Sequence, residues 1–141
     1  MNKAGEIQSI LDSIFTTEYV DSLNALREHS VNVKGFGSYG NGVSDDTLAI
    51  QNAIEYANTH GKVVHLPAGV YLITSSIILK DVSLIGTPGT IIKCKTNDFT
   101  AVKQDVFATK FDIRDITITD GYIGLELIRG THSVLENVRI E

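Results

Sequence analysis

What this 141-residue sequence lacks excludes several classes of protein. It has no tryptophan and no basic tract, and its net charge is −5 at pH 7. A nucleic-acid phosphate backbone would be repelled more often than attracted, which argues against a nucleic-acid partner. The apolar runs are short, as in Ile77–Leu79, whereas a membrane-spanning helix needs about 20 apolar residues. Membrane insertion is therefore not expected.

Cysteine is almost absent as well. Cys94 stands alone, which excludes internal disulfides and a multi-cysteine metal cluster. It lies in the apolar run TIIKCK and is predicted to be a buried small hydrophobe rather than a nucleophile. The N-terminal stretch MNKAGEIQSILDSIF contains acidic residues and no small-residue cleavage pattern, so no secretory signal is predicted. These features predict synthesis in a cytoplasm.

Residues 1–30 form a leader that carries two helical patterns over residues 5–28. Apolar residues at helical spacing lie on either side of a break at Thr16–Thr17, namely Ile7, Ile10, Leu11 and Ile14, then Val20, Leu23 and Leu26. About two heptads do not support a sustained coiled coil. Two hypotheses stay open: this leader packs on its own domain, or it serves as a short attachment or oligomerising helix.

A stronger helix is predicted over residues 45–58. Ser44 or Asp45 can cap it, Asp46 favours its positive end, and Gly61 ends it. One face is apolar and consists of Ile50, Ala53, Ile54 and Ala57. This face predicts burial against the rest of the domain.

Beyond Gly61 the sequence changes to short β-rich runs separated by Gly, Asn, Asp and Thr. The runs are KVVHL, VYLI, SIILK, VSLIG, TIIKCK, DITIT, IGLELI and VLENVRI. Because the joins are short and no helical pattern separates the runs, βαβ units are disfavoured.

The runs also repeat. Aligning Asp81–Leu84 with Asp115–Ile118 and with Asn137–Ile140 gives the same order of acid or Asn, apolar, polar, apolar. A coil of roughly 20–30 residues repeated with insertions is typical of a solenoid, whose coils bury side chains on one another. In DITIT, Ile116 and Ile118 should then point inward and the threonines outward. The prediction is a parallel β-helix whose first coil is capped by the 45–58 helix.

The last coil is predicted to be open. The sequence stops at Glu141, directly after a strand with apolar alternation and without a capping pattern. On this ground the chain is expected to be the N-terminal part of a longer protein, truncated at the C-terminus.

The glycine run Gly35-Phe-Gly37-Ser-Tyr-Gly40 matches the G-x-G-x-x-G pattern of dinucleotide sites. Such a site needs a helix that begins at the glycines, so that the helix N-terminus faces the pyrophosphate. Here the predicted helix begins several residues later, and the next strand offers His65 instead of a ribose-binding acid. A nucleotide is therefore disfavoured and no cofactor is expected.

The longer stretch VNVKGFGSYGNGVSDDTLAIQNAIEYANTHGKVVHLPAGVYLIT resembles the N-terminal signature of the pectate-lyase-like superfamily of right-handed β-helices. The matching residues are Phe36, Gly37, Gly40, Gly42, Ser44, Asp45, Asp46, Thr47, Ala49, Ile50, Gln51, Ala53, Ile54, Val63, Pro67, Gly69 and Tyr71. The family more often has Asp where this chain has Asn41, a change that concerns the turn. In physical terms the glycines permit a tight loop, and the paired acids begin the capping helix.

The resemblance implies a mainly β fold: a right-handed parallel β-helix (solenoid) with an N-terminal helical leader over 1–30 and the cap and first coils over 31–141. The superfamily includes polysaccharide lyases, polygalacturonase-like hydrolases and bacteriophage tailspike or appendage proteins, and fold alone does not choose among them. The missing signal peptide, the leader and the absence of disulfides favour the phage group.

For a phage protein, the resemblance implies a homotrimer attached to other virion proteins through residues 1–30. It would be assembled in the host cytoplasm, act outside the cell on the virion, and bind host surface polysaccharide, which the full-length protein could also depolymerise. Two alternatives stay open. One is the N-terminal part of a stand-alone polysaccharide lyase or glycoside hydrolase, and the other is a cap and assembly module without a ligand.

No catalytic residue is assigned from the sequence. Adjacent acids at a helix start usually point apart, so Asp45 and Asp46 are interpreted as capping residues rather than as a glycosidase pair. The other candidate acids are Asp112, Asp115, Asp120, Glu126 and Glu136; Asp112 and Glu126 are possible outward-facing carboxylates, whereas Asp115 and Asn137 fit a ladder. His65 and His132 are isolated, and no metal-ligand spacing accompanies them.

Overall fold

The computed structural model describes residues 29–141. The helical pattern predicted over residues 5–28 lies outside the described residues. Within the described part, the chain forms α1, a short 3-10 helix and strands β1–β13. No helix in this part is long and apolar enough to span a bilayer.

The elements are short, as the frequent turn residues predict. Their bounds are β1 Ser30–Asn32, the 3-10 helix Val33–Phe36, β2 Asn41–Asp45, α1 Thr47–His60, β3 Val63–His65, β4 Gly69–Ile73, β5 Ile77–Leu79, β6 Ser83–Ile85, β7 Thr90–Cys94, β8 Thr100–Gln104, β9 Asp112–Arg114, β10 Thr117–Thr119, β11 Ile123–Glu126, β12 Val134–Glu136 and β13 Arg139–Ile140.

The strands form three parallel sheets that run along the stack of coils. Sheet A has the order β1-β3-β6-β9-β12, sheet B has β2-β4-β7-β10-β13, and sheet C has β5-β8-β11. Each turn of the chain adds one parallel strand to a sheet, so that every coil lies on the coil before it. This arrangement confirms the predicted parallel β-helix.

The interior is a set of apolar ladders. Tyr71, Ile92 and Ile118 occupy one register position in successive strands of sheet B, and all three are fully buried. Ile116 is buried too, while Thr117 is partly exposed. The inward and outward positions predicted within DITIT are therefore confirmed.

The capping helix is shorter at its start than predicted. Asp45 belongs to β2, where it pairs with β4, and α1 begins at Thr47 with Asp46 at its N-cap. Neither Ser44 nor Asp45 is the N-cap residue, and the Asp46 side chain makes no cap hydrogen bond. The buried face of α1 contains Ala49, Ile50, Ala53, Ile54 and Ala57, and it packs on β1, β3, β5 and the 3-10 helix. The helix therefore covers the first coil, as predicted.

One of the two predicted repeat alignments is wrong. Leu84 pairs with Ile113 in sheet A, whereas Ile118 pairs with Ile92 in sheet B, so DVSL and DITI are not equivalent strands. The other alignment is confirmed, because Ile118 also pairs with Ile140. The error has a physical cause: strands of all three sheets need the same inward and outward alternation, so unrelated strands share a pattern.

Candidate functional site

The glycine run forms a loop that is closed by a buried acid. The two carboxylate oxygens of Asp46 accept hydrogen bonds from the backbone N–H of Tyr39 at 2.8 Å and of Gly40 at 2.9 Å. Asp46 is fully buried, and charge-assisted bonds to two amides are the form in which a buried carboxylate is tolerated. The second acid of the signature therefore fastens the loop to the start of α1.

Tyr71 packs under the same loop. Its hydroxyl donates to the Pro67 carbonyl oxygen at 2.6 Å, and burial, helped by the charge of Asp46, raises the pKa of Tyr71. A Cβ on Gly40 would lie 3.1 Å from the Tyr71 ring, and a Cβ on Gly69 would lie 2.7 Å from the carbonyl oxygen of Gly40. These glycines are needed for close packing of the cap.

Asp45 has different partners from Asp46. Its carboxylate accepts hydrogen bonds from the backbone N–H and hydroxyl of Thr47 and from the hydroxyl of Thr74. The Thr47 side-chain bond is the main cause that lowers the pKa of Asp45. The two acids point apart, as predicted, and a carboxyl group with a lowered pKa is poorly suited to act as a general acid.

The loop also lacks the order of elements that a dinucleotide site needs. Strand β2 lies between Gly40 and α1, so the N-terminus of α1 does not follow the glycines directly. Asn41, at the start of β2, accepts hydrogen bonds from the backbone N–H of Val43 and Ser44. Asn41 thus shapes a turn, which agrees with the interpretation of its departure from the family pattern.

Gln51 joins α1 to the edge of sheet C. Its side-chain carbonyl oxygen accepts from the backbone N–H of Ile78 at 2.8 Å, and its amide nitrogen donates to the carbonyl oxygen of Ile78 at 3.0 Å. Strand β5 is the first strand of sheet C, so this amide occupies the place of a missing neighbouring strand. An open cleft of about 620 Å³ lies beside it, lined by Glu55, Thr74 and Lys80 among others.

Asp115 and Asn137 stack on each other in consecutive coils. Both have positive φ, 57° and 52°, and the Asn137 amide donates to the Asp115 carboxylate at 2.9 Å. Asp and Asn tolerate this backbone conformation better than most residues. The predicted turn and ladder role is confirmed for this pair.

Asp112 lies on the outer face of sheet A. Its carboxylate accepts from the hydroxyl of Ser83 at 2.9 Å and from Nε of Arg114 at 2.8 Å. Arg114 also lies 3.6 Å from Glu136, and its hydrogen bond to Asp112 is the main cause that raises the pKa of Arg114. Asp112 therefore joins neighbouring strands through Ser83 and is paired with Arg114.

The other candidates are dispersed. Glu126 lies in sheet C, away from Asp112 in sheet A, and Asp120 lies 4.0 Å from Lys93 at the end of β10. His65 lies in β3 and His132 in a loop before β12. Among residues 29–141, no three His, Cys, Asp or Glu side chains are grouped so that they could hold a metal ion.

Cys94 is buried, as predicted. Burial, followed by the charge of Asp120, raises the pKa of its thiol to about 11. A thiol with so high a pKa is not an effective nucleophile near neutral pH.

A groove that the sequence did not reveal runs along the starts of the sheet A strands β3, β6 and β9. It has a volume of about 280 Å³, and its lining includes Lys62, Ser83, Lys110, Asp112 and His132. These residues lie in, or just before, four successive strands of sheet A, namely β3, β6, β9 and β12. Only the strand register brings them together, so no local motif could have identified them.

The comparisons with known proteins agree with this geometry. The family model described as rhamnogalacturonase A/epimerase, pectate lyase-like, matches residues 30–111, more than half of the chain. Mannuronan C5-epimerase AlgE6 of Azotobacter vinelandii is 34% identical over 104 residues, which are 62% of this chain and 12% of that protein. The solved A-module of AlgE6 is 28% identical with a TM-score of 0.59, covering 77% of this chain and 37% of the module.

A viral protein is similar as well. The structure of ORF18 from Geobacillus virus E2 is 30% identical with a TM-score of 0.60, covering 71% of this chain and 24% of that chain. The chain spans only a small part of its relatives; for the epimerase AlgE1 of Azotobacter vinelandii the share is 3%. The family match, the parallel coils and the glycine-loop cap together show that this chain belongs to the pectate-lyase-like family of rhamnogalacturonase A and epimerases.

Proposed function

We propose that this chain is the N-terminal, virion-proximal part of a phage tailspike or appendage protein. In this role it caps, assembles and attaches a β-helix that binds host cell-surface polysaccharide. The observation that carries the proposal is the similarity to the Geobacillus virus E2 protein, which extends over 71% of the chain. Polysaccharide as the ligand class is supported by the family, whose curated relatives here include mannuronan epimerases.

The side-chain contacts support a structural role for the cap and a binding role for the outer faces of the coils. Asp46, Gln51 and Tyr71 are all committed to holding the cap together. Polar groups that remain available to a ligand lie on the outer faces of the coils, as in the sheet A groove. In this proposal the cap and first coils have a structural role, and polysaccharide binds on the outer faces of the β-helix.

A second candidate is the N-terminal part of a stand-alone enzyme that acts on polysaccharide. The similarity to epimerases favours it, since these are enzymes rather than virion components. In that case the reacting residues would lie in coils beyond those described.

The solution mass of the chain distinguishes the two. Light scattering should be applied to residues 1–141 and to a version that begins at His29, which keeps β1 intact. A trimer that becomes a monomer when residues 1–28 are removed would support assembly through the leader. A monomer in both cases would contradict the proposed assembly and favour the stand-alone enzyme.

A further inference from the structure

Asn41 and Gly42 form a dipeptide that occurs once in the chain. All other asparagines of the sequence precede Lys, Ala, Val, Thr or Asp. Asparagine is thermolabile, because the backbone nitrogen of the next residue can attack its side-chain amide. Glycine has no Cβ to hinder this attack. The pair is therefore the position at which the sequence most favours a spontaneous covalent change.

The pair lies at an exposed and irregular edge of the β-helix. Strand β2 is the terminal strand of sheet B, with β4 as its neighbour. Asn41 and Asp45 both pair with β4, and the register shifts between them. Asn41 is exposed, and Gly42 has a positive φ of 74°. Residues 42–44 thus lie outside a regular ladder, in the kind of segment that opens locally at low cost.

Two backbone amides hold the side-chain carbonyl of Asn41. Its Oδ1 accepts hydrogen bonds from the N–H of Val43 at 3.0 Å and of Ser44 at 2.9 Å. When the Gly42 nitrogen attacks Cγ of Asn41, negative charge develops on this same oxygen. Donors that are already placed at an oxygen that gains charge lower the barrier to such an attack. The loop therefore provides an oxyanion site for its own side chain.

A hydroxyl group lies beside the nitrogen that must leave. Nδ2 of Asn41 donates to Oγ of Ser44 at 3.3 Å. The Ser44 oxygen accepts this bond with a lone pair, so its own hydrogen can still be donated. In the tetrahedral intermediate the amide nitrogen gains a lone pair, and the hydroxyl can then act as a general acid towards it. Ser44 is thus placed to assist the departure of ammonia.

We propose that Asn41 converts spontaneously to aspartate through a cyclic imide with Gly42. The bond between the Gly42 nitrogen and Cγ of Asn41 forms, the bond from Cγ to Nδ2 breaks, and the Gly42 amide proton passes to water while ammonia leaves. Water then opens the imide. In sum one water molecule is added and one ammonia is lost, with no change of oxidation state.

The same two N–H groups direct the opening of the imide. Attack of water at Cγ restores the normal backbone with aspartate at this position. Attack at the main-chain carbonyl carbon gives isoaspartate instead, in which the backbone runs through the side chain. Because the N–H groups of Val43 and Ser44 polarise the Cγ carbonyl, they favour aspartate. The new carboxylate can accept the same two hydrogen bonds, now assisted by charge.

The test follows the 141-residue chain by peptide mass mapping during incubation in mildly alkaline buffer. Asn32 is the internal control, since it is also exposed and its Oδ1 accepts one backbone N–H, that of Lys34. It precedes the β-branched Val33. We expect conversion at Asn41 to be at least about tenfold faster than at Asn32.

A synthetic peptide of residues 34–47 measures the same chemistry without the fold. In the peptide no fixed donors polarise the Cγ carbonyl. The ratio of aspartate to isoaspartate at position 41 should therefore be at least about threefold higher in the folded chain than in the peptide. Chromatography against synthetic standards of the two products measures this ratio.

Two serine variants test the role of the hydroxyl. Ser44→Ala removes the hydroxyl beside Nδ2 and should slow conversion about threefold or more, whereas Ser75→Ala removes an exposed hydroxyl outside the loop and should change the rate by less than about twofold. Asn41→Asp represents the product. It should melt at or above the temperature of the wild type, because the carboxylate keeps both hydrogen bonds. The same melting measurement checks that the serine variants are folded.

Four outcomes would overturn the proposal. They are conversion at Asn41 no faster than at Asn32, a product ratio equal to that of the peptide, equal rates for the two serine variants, and a lower melting temperature for Asn41→Asp. The reaction needs no partner other than water. Its presence or absence is therefore independent of the polysaccharide ligand and of the assembly proposed above.

Discussion

The apolar ladders are fully buried near the first coil of the described β-helix and about half exposed in its last coil. In sheet B, Tyr71, Ile92 and Ile118 are fully buried, whereas Ile140, the next position in register, is 52% exposed. In sheet A, Ile113 is fully buried and its partner Leu135 is 49% exposed. At the first coil, α1 covers the corresponding surface.

The difference shows what a cap contributes to a solenoid. A coil buries its inward residues only when something lies on both of its sides. At the first coil this is achieved by the apolar face of α1, by Asp46 in the loop and by Gln51 at the edge of β5. The residues of the signature are therefore explained by stability.

The largest expected effect is a difference in lost stability: truncating a buried residue of α1 should lower the free energy of unfolding more than truncating a residue of the last coil. Ile54→Ala, in the buried face of α1, should lower the free energy of unfolding by about 2–5 kcal/mol, because it creates a cavity. Leu135→Ala should cost about 1 kcal/mol or less, since half of that side chain is already exposed. Urea unfolding of both variants measures the contrast, and equal losses would contradict it.

Removing the loop acid should have the next largest effect. Asp46→Ala leaves the N–H groups of Tyr39 and Gly40 without their acceptor, and the expected loss is about 2–3 kcal/mol. The neighbouring variant Asp45→Ala is the control and should lose less, because Asp45 is exposed. Chemical unfolding measures both, and a larger loss for Asp45→Ala would show that the roles of the two acids are reversed.

Gln51→Ala tests the edge of sheet C. The backbone N–H and carbonyl of Ile78 lose their partners, which should cost about 1–2 kcal/mol. An uncovered strand edge should also increase self-association, as seen by light scattering at increasing concentration. Asn52→Ala, on the exposed face of α1, should leave both stability and association nearly unchanged.

The smallest effect is the pH dependence due to Asp45. Its pKa in the folded chain lies below the usual aspartate value of 3.8, so its contribution to stability is present above that value and is lost as pH falls through the folded pKa. The stability difference between the wild type and Asp45→Asn should be constant from pH 7 to about pH 5 and shrink below about pH 4. Its size should be at most about 1 kcal/mol, because the group is exposed. A difference that grows on acidification would contradict the assignment.

Sequence patterns predicted the elements whose local chemistry is strong. The apolar face of α1, the alternation around Ile118 and the burial of Cys94 follow from side-chain spacing. Strands β2, β8 and β9 were not among the predicted runs. The sequence of β2, NGVSD, has no apolar alternation and is extended because it pairs with β4.

Strand β8 was missed by the sequence patterns for a different reason. Its last residue, Gln104, is a buried polar side chain that breaks the apolar pattern. It is tolerated because its amide bonds to the backbone of Ile128 and Arg129 and to the carbonyl of Lys110. These partners belong to loops that only the fold brings to it.

The class of fold and the residues of the cap can be read from the amino-acid sequence, because glycine, acid and apolar positions act within a few residues of one another. The folded chain was needed to show which strands are equivalent, what each signature acid binds, and that Lys62 and Lys110 line one groove. The physical reason is that coil register depends on insertions between strands. Residues far apart in sequence become neighbours only after every loop has closed.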